Sequence, residues 1–307
     1  MKNLIKENTY WIALSHLQNW KKERLNQLII KTFDEQKISL DDFFNAEKAD
    51  WAKTFLLTEK EIDDIQNAKN KLSDYSTLSE KLLSQGIEII LFNSPDYSTI
   101  LKDNLEIKSP PILYIKGNKK ILNEDSIAIV GSRDASEIAL QFTDNIAKQA
   151  SKDYKVVISG FAKGVDRQAL DSAIKYKGHS IIVLPQGIMT FNAGTYFEQI
   201  ENGNVLVLST FAPKSPWSVP LAMARNSTIY GLAKEIFVAQ ANEKGGTWAG
   251  VMDGLKKGRT IYVRNPEHSE QNANELLIKK GAIPVDFNGI VISNVQETKG
   301  TQLTLFS

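Results

Sequence analysis

The residues best suited to chemistry in this chain lie in two short polar loops, Gly131-Ser132-Arg133 and Ser159-Gly160-Phe161-Ala162-Lys163-Gly164-Val165-Asp166. Each follows a short apolar run and leads into a stretch of helical periodicity. Glycine lets the backbone approach an anion closely, N–H groups at the start of a helix converge on it, and a neighbouring Arg or Lys adds a full charge. Ser132 offers a hydroxyl, and Arg133 a forked cation suited to phosphate. Lys163 stands between Gly160 and Gly164, and Asp166 is placed either to cap the next helix or to orient Lys163. Two such loops side by side suit a ligand with more than one phosphate, or a phosphate and a sugar. A polynucleotide meets that description. Taken singly, the first loop is as readily a plain strand-to-helix turn with an exposed arginine; the second loop tips the balance.

Two further segments can extend the same rim: the turn Leu184-Pro185-Gln186-Gly187, and Arg225-Asn226, where Arg225 sits among small residues that would let it near a phosphate. The dinucleotide fingerprint G-x-G-x-x-G is absent from the first turn, and no acidic residue ends the next strand to hold a ribose, so hydride chemistry is disfavoured. No Walker A lysine motif points to nucleoside triphosphate hydrolysis. The chain has no cysteine and three histidines, His16, His179 and His268, which argues against disulfides and against a zinc site. No cofactor or metal is expected.

The elements that must hold these loops follow from periodicity. From Tyr10 to about Gln85 the apolar spacing is helical, as in Trp11, Leu14 and Leu17, and glycine does not occur before Gly86. Thr58 and Glu61 have the spacing of a capping box opening a helix through Ile62, Ile65 and Ala68. Trp11, Trp20 and Trp51 read as core fillers in preference to base-stacking platforms. After Gly86 the pattern changes to β-branched runs at Ile87–Leu91, Ile112–Ile115, Ile127–Val130, Val156–Ser159, Ser180–Leu184, Val205–Leu208, Glu235–Ala239, Thr260–Val263 and, more weakly, Ala282–Val285. Alternation of such runs with helical segments predicts an α/β fold: an extended Rossmann-like, doubly wound, mostly parallel sheet preceded by a small all-helical domain. Ligands of such sheets sit beyond the C-terminal strand ends, where both loops must lie. Asp134 is the expected N-cap of the first helix, with Glu137 at N3 and Ile138, Phe142 and Ile146 facing the sheet. The expected domains are residues 1–85, 86–291 and a flexible tail, 292–307.

Composition narrows the function only by exclusion. At 307 residues, 42% hydrophobic and 24% charged, the chain has the make-up of a folded globular protein. The N-terminus lacks a signal-peptide core and no apolar run is long enough to span a bilayer, so a cytoplasmic location without membrane contact is expected. A net charge of +1 gives no global attraction to nucleic acid, so any such binding must come from a local cluster of Lys and Arg.

The order of these motifs resembles the DNA-processing protein A family (DprA, also called Smf). That family's pattern is a strand ending G-S-R, then S-G-x-A-x-G-x-D, a V-L-x-x-G-like turn, and R-N-R. The matching residues here are Gly131-Ser132-Arg133, Ser159 to Asp166, Leu184 to Gly187, and Arg225-Asn226. Upstream, Ser94 to Gly117, and downstream, Asn274 to Val285, also resemble family segments, so the likeness runs from about Gln85 to Val285. It departs at Ser227, the third position of R-N-R, at Thr210, where an acid is usual, and at Gly245-Gly246, where Ser-Gly is usual. No stretch resembles the family's C-terminal winged-helix module or its N-terminal helix-hairpin-helix glycine turns, which marks a divergent member. The resemblance implies a SAM-like helical N-terminus and a non-enzymatic recombination mediator that binds single-stranded DNA in a basic pocket. It also implies dimers and help in loading a RecA-type recombinase. Phosphates would dock on Ser132/Arg133 and Lys163/Gly164, with Arg225 and Asn226 further along.

Two alternatives come from other classes. Gly245-Gly246-Thr247 with Asp253 faintly echoes nucleotide N-glycosidases of related Rossmann families, and the same loops would also serve a sensor of a small nucleotide. Separately, Gln302-Leu303-Thr304-Leu305-Phe306 resembles the short sliding-clamp-binding peptide of bacterial replication and repair proteins. Its apolar residues Leu303, Leu305 and Phe306 would gain by burial in a partner's pocket, or in a last strand added to the sheet.

Overall fold

The computed structural model describes residues 1–267 and 270–292. Six helices come first: α1 (Lys2–Ser15), α2 (Lys22–Ile30), α3 (Leu40–Asn45), α4 (Lys48–Lys53), α5 (Glu59–Lys69) and α6 (Leu72–Ser84). The capping box expected at Thr58 opens α5, with Glu61 N donating to Thr58 Oγ1 at 3.3 Å and Thr58 N to Glu61 Oε2 at 2.9 Å. Trp11 and Trp51 are fully buried, and Trp51 Nε1 donates to Phe43 O. Trp20 is half-buried and donates to Asp64. These rings therefore fill the helical core.

All nine expected strands form: β1 (Glu88–Leu91), β2 (Ile112–Lys116), β3 (Ser126–Val130), β4 (Val156–Ser159), β5 (Ser180–Val183), β6 (Val205–Ser209), β7 (Glu235–Val238), β8 (Ile261–Arg264) and β9 (Ile283–Val285). They make one sheet in the order β1-β2-β6-β5-β4-β3-β7-β8-β9. From β6 through β9 every neighbour is parallel, and only β2 runs against its neighbours β1 and β6. The helices on this sheet are α7 (Thr99–Leu105), α8 (Glu137–Lys152), α9 (Val165–Lys175), α10 (Phe197–Glu201), α11 (Val219–Ala224), α12 (Asn226–Leu232), α13 (Gly246–Lys256) and α14 (Asn274–Lys279). The fold is thus α/β and Rossmann-like, with helices preceding a mostly parallel sheet.

Strand alternation divides the core between the two faces. Val205 and Val207 of β6 join a cluster that runs on into Trp11, Leu28 and Phe43 of the helices, while Leu206 and Leu208 join the opposite face with Ile229 and Val251. Ile127 and Ile129 of β3 meet Phe142 and Ile146 of α8; Ala128 and Val130 point the other way. The N-terminal helices therefore pack on the sheet through continuous apolar contact. Asn26 reinforces the contact, donating to Ile107 O and Ser109 O, both at 2.8 Å.

At the same junction the His16 ring stacks on Tyr114, with Nε2 2.7 Å from the phenol oxygen. Burial lowers His16 from 6.5 to about 4 and holds Tyr114 well above its ordinary value, so both are neutral at pH 7. An imidazole that resists protonation only when folded costs stability as pH falls from 6.5 towards 4, and nothing above 6.5. Wild type should therefore lose about 2 to 3 kcal/mol over that interval relative to His16→Gln. Parallel urea titrations from pH 7 to 4 measure it; equal slopes for the two proteins would refute the assignment.

Candidate nucleic-acid interface

The strand order reverses at β3: the chain moves outward through β4, β5 and β6 on one side and then returns to β7 on the other. A crevice opens beyond the C-terminal strand ends at such a reversal. The loops after β3, β4 and β7 meet there.

The first two loops are interlocked through their backbones. Gly164 has φ +74°, and a Cβ there would collide with the carbonyl oxygens of Ser132 and Arg133. Val165 N donates to Ser132 O at 3.2 Å, and a Cβ on Gly131 would strike the Val165 side chain. From the far side Gln240, after β7, holds the same turn. Ser132 N donates to Gln240 O at 2.8 Å and Ser136 N to Gln240 Oε1 at 2.9 Å. This shifts the helix start from its expected place. The N-cap of α8 is Ser136, whose Oγ accepts from Ala139 N, while Asp134 lies in the loop with its N–H on Ser132 Oγ. Phe142 and Ile146 face the sheet as expected, and Ile138 is half-buried.

Asp166 neither caps α9 nor reaches Lys163. It lies in the first turn of α9, buried, and accepts from Ala162 N and from Arg225 Nη2, both at 3.4 Å. Arg225, at the α11–α12 junction, is only 5% exposed. Its Nη1 reaches Val183 O at 3.4 Å and its Nε has no partner among the described residues. Gly160 leaves the space for it, since a Cβ at that position would fall on the guanidinium. Burial pulls the Arg225 pKa below its ordinary value, Asp166 opposes this, and the nearby charge of Arg133 adds to the lowering. A buried guanidinium with long bonds and an idle donor is a charge short of anions.

Two cavities adjoin above it. One, of about 370 Å³, is lined by Ser132, Arg133, Asn226, Lys244 and the Gly245-Gly246-Thr247 turn at the start of α13, which has no side-chain cap. The second, of about 420 Å³, is lined by Gly160, Phe161, Lys163, Gln186, Asn192 and Trp217. Arg133, Ala162, Ala222 and Arg225 line both, so the two form a groove along the strand ends. Arg133, Lys163 and Lys244 are exposed and form no ion pair among the described residues. Trp217, 49% exposed, presents an aromatic face at the rim. Phe161 has φ +64°, and the Arg167 guanidinium stacks 3.9 Å from its ring centre.

Not every residue singled out in the sequence faces this groove. Ser159 is buried and donates to Ile129 O at 2.9 Å, so its hydroxyl is used within the sheet. Gly187 packs against the backbone of Ala212 and Pro213, where a side chain would not fit. Gln186 lies at the rim with Nε2 bonded to Thr190. Asn226 Nδ2 donates to Gly246 O at 3.1 Å and steadies the α13 turn. Asp253 does not line the cavity of its Gly-Gly-Thr loop and pairs instead with Lys257 at 2.6 Å. Gln302, Leu303, Leu305 and Phe306 lie outside the described residues. The sequence reading missed Gln240, Lys244 and Trp217. Of these Trp217 left a signal, a large aromatic in the proline-flanked segment Ser215-Pro-Trp-Ser218, where neither helical nor strand periodicity gives it a core position.

Among the described residues no helix is long and apolar enough to cross a membrane. Residues 88–296 match the family model of DNA recombination-mediator protein A. The DNA processing protein DprA of Bacillus subtilis is 27% identical over 205 residues, 63% of this chain and 67% of its own length. Protein Smf of Synechocystis is 24% identical over 304 residues, 91% of this chain and 74% of its own. In three dimensions the chain is similar to DNA processing protein A from Streptococcus pneumoniae, with a TM-score of 0.65 and 22% identity over 91% of this chain and 94% of the other. It is also similar to that of Helicobacter pylori, with a TM-score of 0.54 and 25% identity over 64% of this chain and 90% of the other; that structure concerns a single-stranded DNA binding mode. With the family model covering two thirds of its length, the chain belongs to the DNA recombination-mediator protein A family.

Proposed function

We propose that this protein holds single-stranded DNA across the groove at the sheet's reversal point and acts as a recombination mediator on it. The observation that carries the reading is the pair of adjoining cavities sharing Arg133 and the under-satisfied Arg225. A run of phosphates spaced along a flexible backbone can use both, whereas a lone anion uses one. Phosphates lie against the Ser132/Arg133 loop, Lys163 and Lys244, and Trp217 offers a face for a base. The relationship to the Helicobacter pylori protein and its single-stranded DNA binding mode supports the same ligand.

Fluorescence anisotropy with a labelled single strand tests this directly. Affinity should fall steeply with salt and depend little on sequence, and Arg133→Ala and Lys163→Ala should each weaken binding by about five- to tenfold at low salt. If neither replacement matters, or if mononucleotides displace the strand at equal concentration, the groove serves another ligand, a small nucleotide signal being the first to consider. Release of free base from nucleoside monophosphates would instead mark it as an N-glycosidase.

Within this reading residues 1–85 form the helical unit, 86–291 carry the groove, and 292–307 present a peptide for a sliding clamp. The mediator works as a homodimer in the cytoplasm and passes its strand to a RecA-type recombinase.

A further inference from the structure

Beside the groove, on the sheet face that carries the N-terminal helices, lies a third cavity of about 590 Å³. Its floor is Ile87 of the chain leading into β1, Lys116 of β2 and Val207 of β6; its other side is the segment from Ile188 to Ile200. Phe191 and Asn192 line this cavity and also the groove cavity that holds Lys163 and Trp217. The two spaces are therefore neighbours across one short stretch of chain. That stretch presents an exposed Asn192, and at Gly194, with φ +51°, nothing lies within 4 Å of where a side chain would begin.

The lining has a distinctive chemistry. Apolar surface slightly exceeds polar and includes the aromatic rings of Phe191 and Phe197, and Phe197 is 55% exposed although it is a large apolar side chain. Gln85 and Asn192 supply amides, which can both donate to and accept from a base edge. Lys116 is the one cation, no acid lines the space, and Lys116 has no ion-pair partner among the described residues. Aromatic faces, amide edges and one unpaired ammonium together match a nucleotide unit: a ring to stack, an edge to bond and a phosphate to neutralise. A purely apolar ligand would leave the ammonium unused. A small polyanion would find one charge only.

We propose that the single strand continues past Phe191 and Asn192 into this cavity, which forms a further nucleotide subsite with Phe197 as its stacking face and Lys116 as its phosphate contact. The proposal rests on the single-strand reading of the groove and sets the length of strand that one subunit engages. A short strand fills only the space between Lys244 and Lys163; a longer one also reaches Lys116.

The test is a length series of oligothymidylates, from about 4 to about 16 nucleotides, titrated against the full chain and against Lys116→Glu and Phe197→Ala. Both side chains are partly or fully exposed, and melting curves verify that the variants stay folded. The expected result is unchanged affinity for the shortest strands bound and an about tenfold loss for the longest with Lys116→Glu, with an about fivefold or greater loss for Phe197→Ala. Losses equal at all lengths, or absent at all lengths while Arg133→Ala still weakens binding, overturn the subsite and leave the groove reading intact. No binding by wild type at any length overturns the groove reading, and the subsite with it.

Discussion

Arg225→Ala is expected to lower the free energy of unfolding by about 3 to 5 kcal/mol, an effect comparable with deleting a large core side chain. The reason is the partner left behind. Asp166 is 7% exposed, and without the guanidinium its remaining contact is the long bond from Ala162 N. Removing both charges should undo much of the damage: Asp166→Asn with Arg225→Met leaves no buried ion and nearly fills the space above Gly160. Single-strand binding should stay poor in this double variant, because the charge beneath both cavities is gone. Urea unfolding of the single and double variants, with anisotropy on each, separates the two roles. A loss under about 1 kcal/mol for Arg225→Ala would show that the pair contributes no more than a surface ion pair does.

Gly164→Ala should reduce single-strand affinity by about tenfold or more, the loss expected when two or more phosphate contacts are misplaced. Two penalties act at this glycine. With φ +74° and ψ −129°, Gly164 lies where only glycine is at ease, at a cost of about 1 to 3 kcal/mol for a side chain, and its Cβ would press on the carbonyls of Ser132 and Arg133, which cannot yield without moving the Arg133 turn. Gly86 offers a positive-φ glycine without the close contact. It has φ +68°, close to that of Gly164, with nothing within 4 Å of the added atom. Gly86→Ala should therefore show the conformational cost in a melting curve and leave affinity unchanged. If Gly164→Ala behaves in the same way, the interlocking of the loops is not what places Arg133.

The strands were the most legible part of the molecule, because runs such as Ser180–Val183 and Val205–Ser209 are buried on both faces and so are β-branched or aliphatic at nearly every position. Their order was not legible. Nothing in the spacing of β6 and β7 says that the chain crosses back to pair with β3, yet that crossing is what opens the crevice. The same limit recurs in the site. The start of α8 was misplaced because Ser136 is held by Gln240, 104 residues away in the chain, so local capping rules saw only half of the interaction. Local spacing offers Asp166 as a helix cap or a partner for its near neighbour Lys163, whereas its cation is Arg225, 59 residues on. The Ser-Gly of the second loop carries a different lesson: both residues are where an anion loop wants them, but Ser159 serves the sheet and Gly160 makes room for an arginine. Residue type and spacing located the loops, and tertiary contacts decided which side chains remained for a ligand.

If the groove takes a strand as proposed, the placement of Arg225 under both cavities would also bear on how it tells a chain from its fragments. One guanidinium already paired with Asp166, its Nε without a partner among the described residues, cannot fully serve two separate anions. The second free mononucleotide to arrive would meet a charge already engaged and bind more weakly than the first. Phosphates joined by a sugar share the ion from fixed positions, and once one is seated the next is present at a high effective concentration. On the proposed single-strand reading, the buried arginine would thereby favour connected phosphates over the same number of loose ones, a form of avidity set by a single side chain.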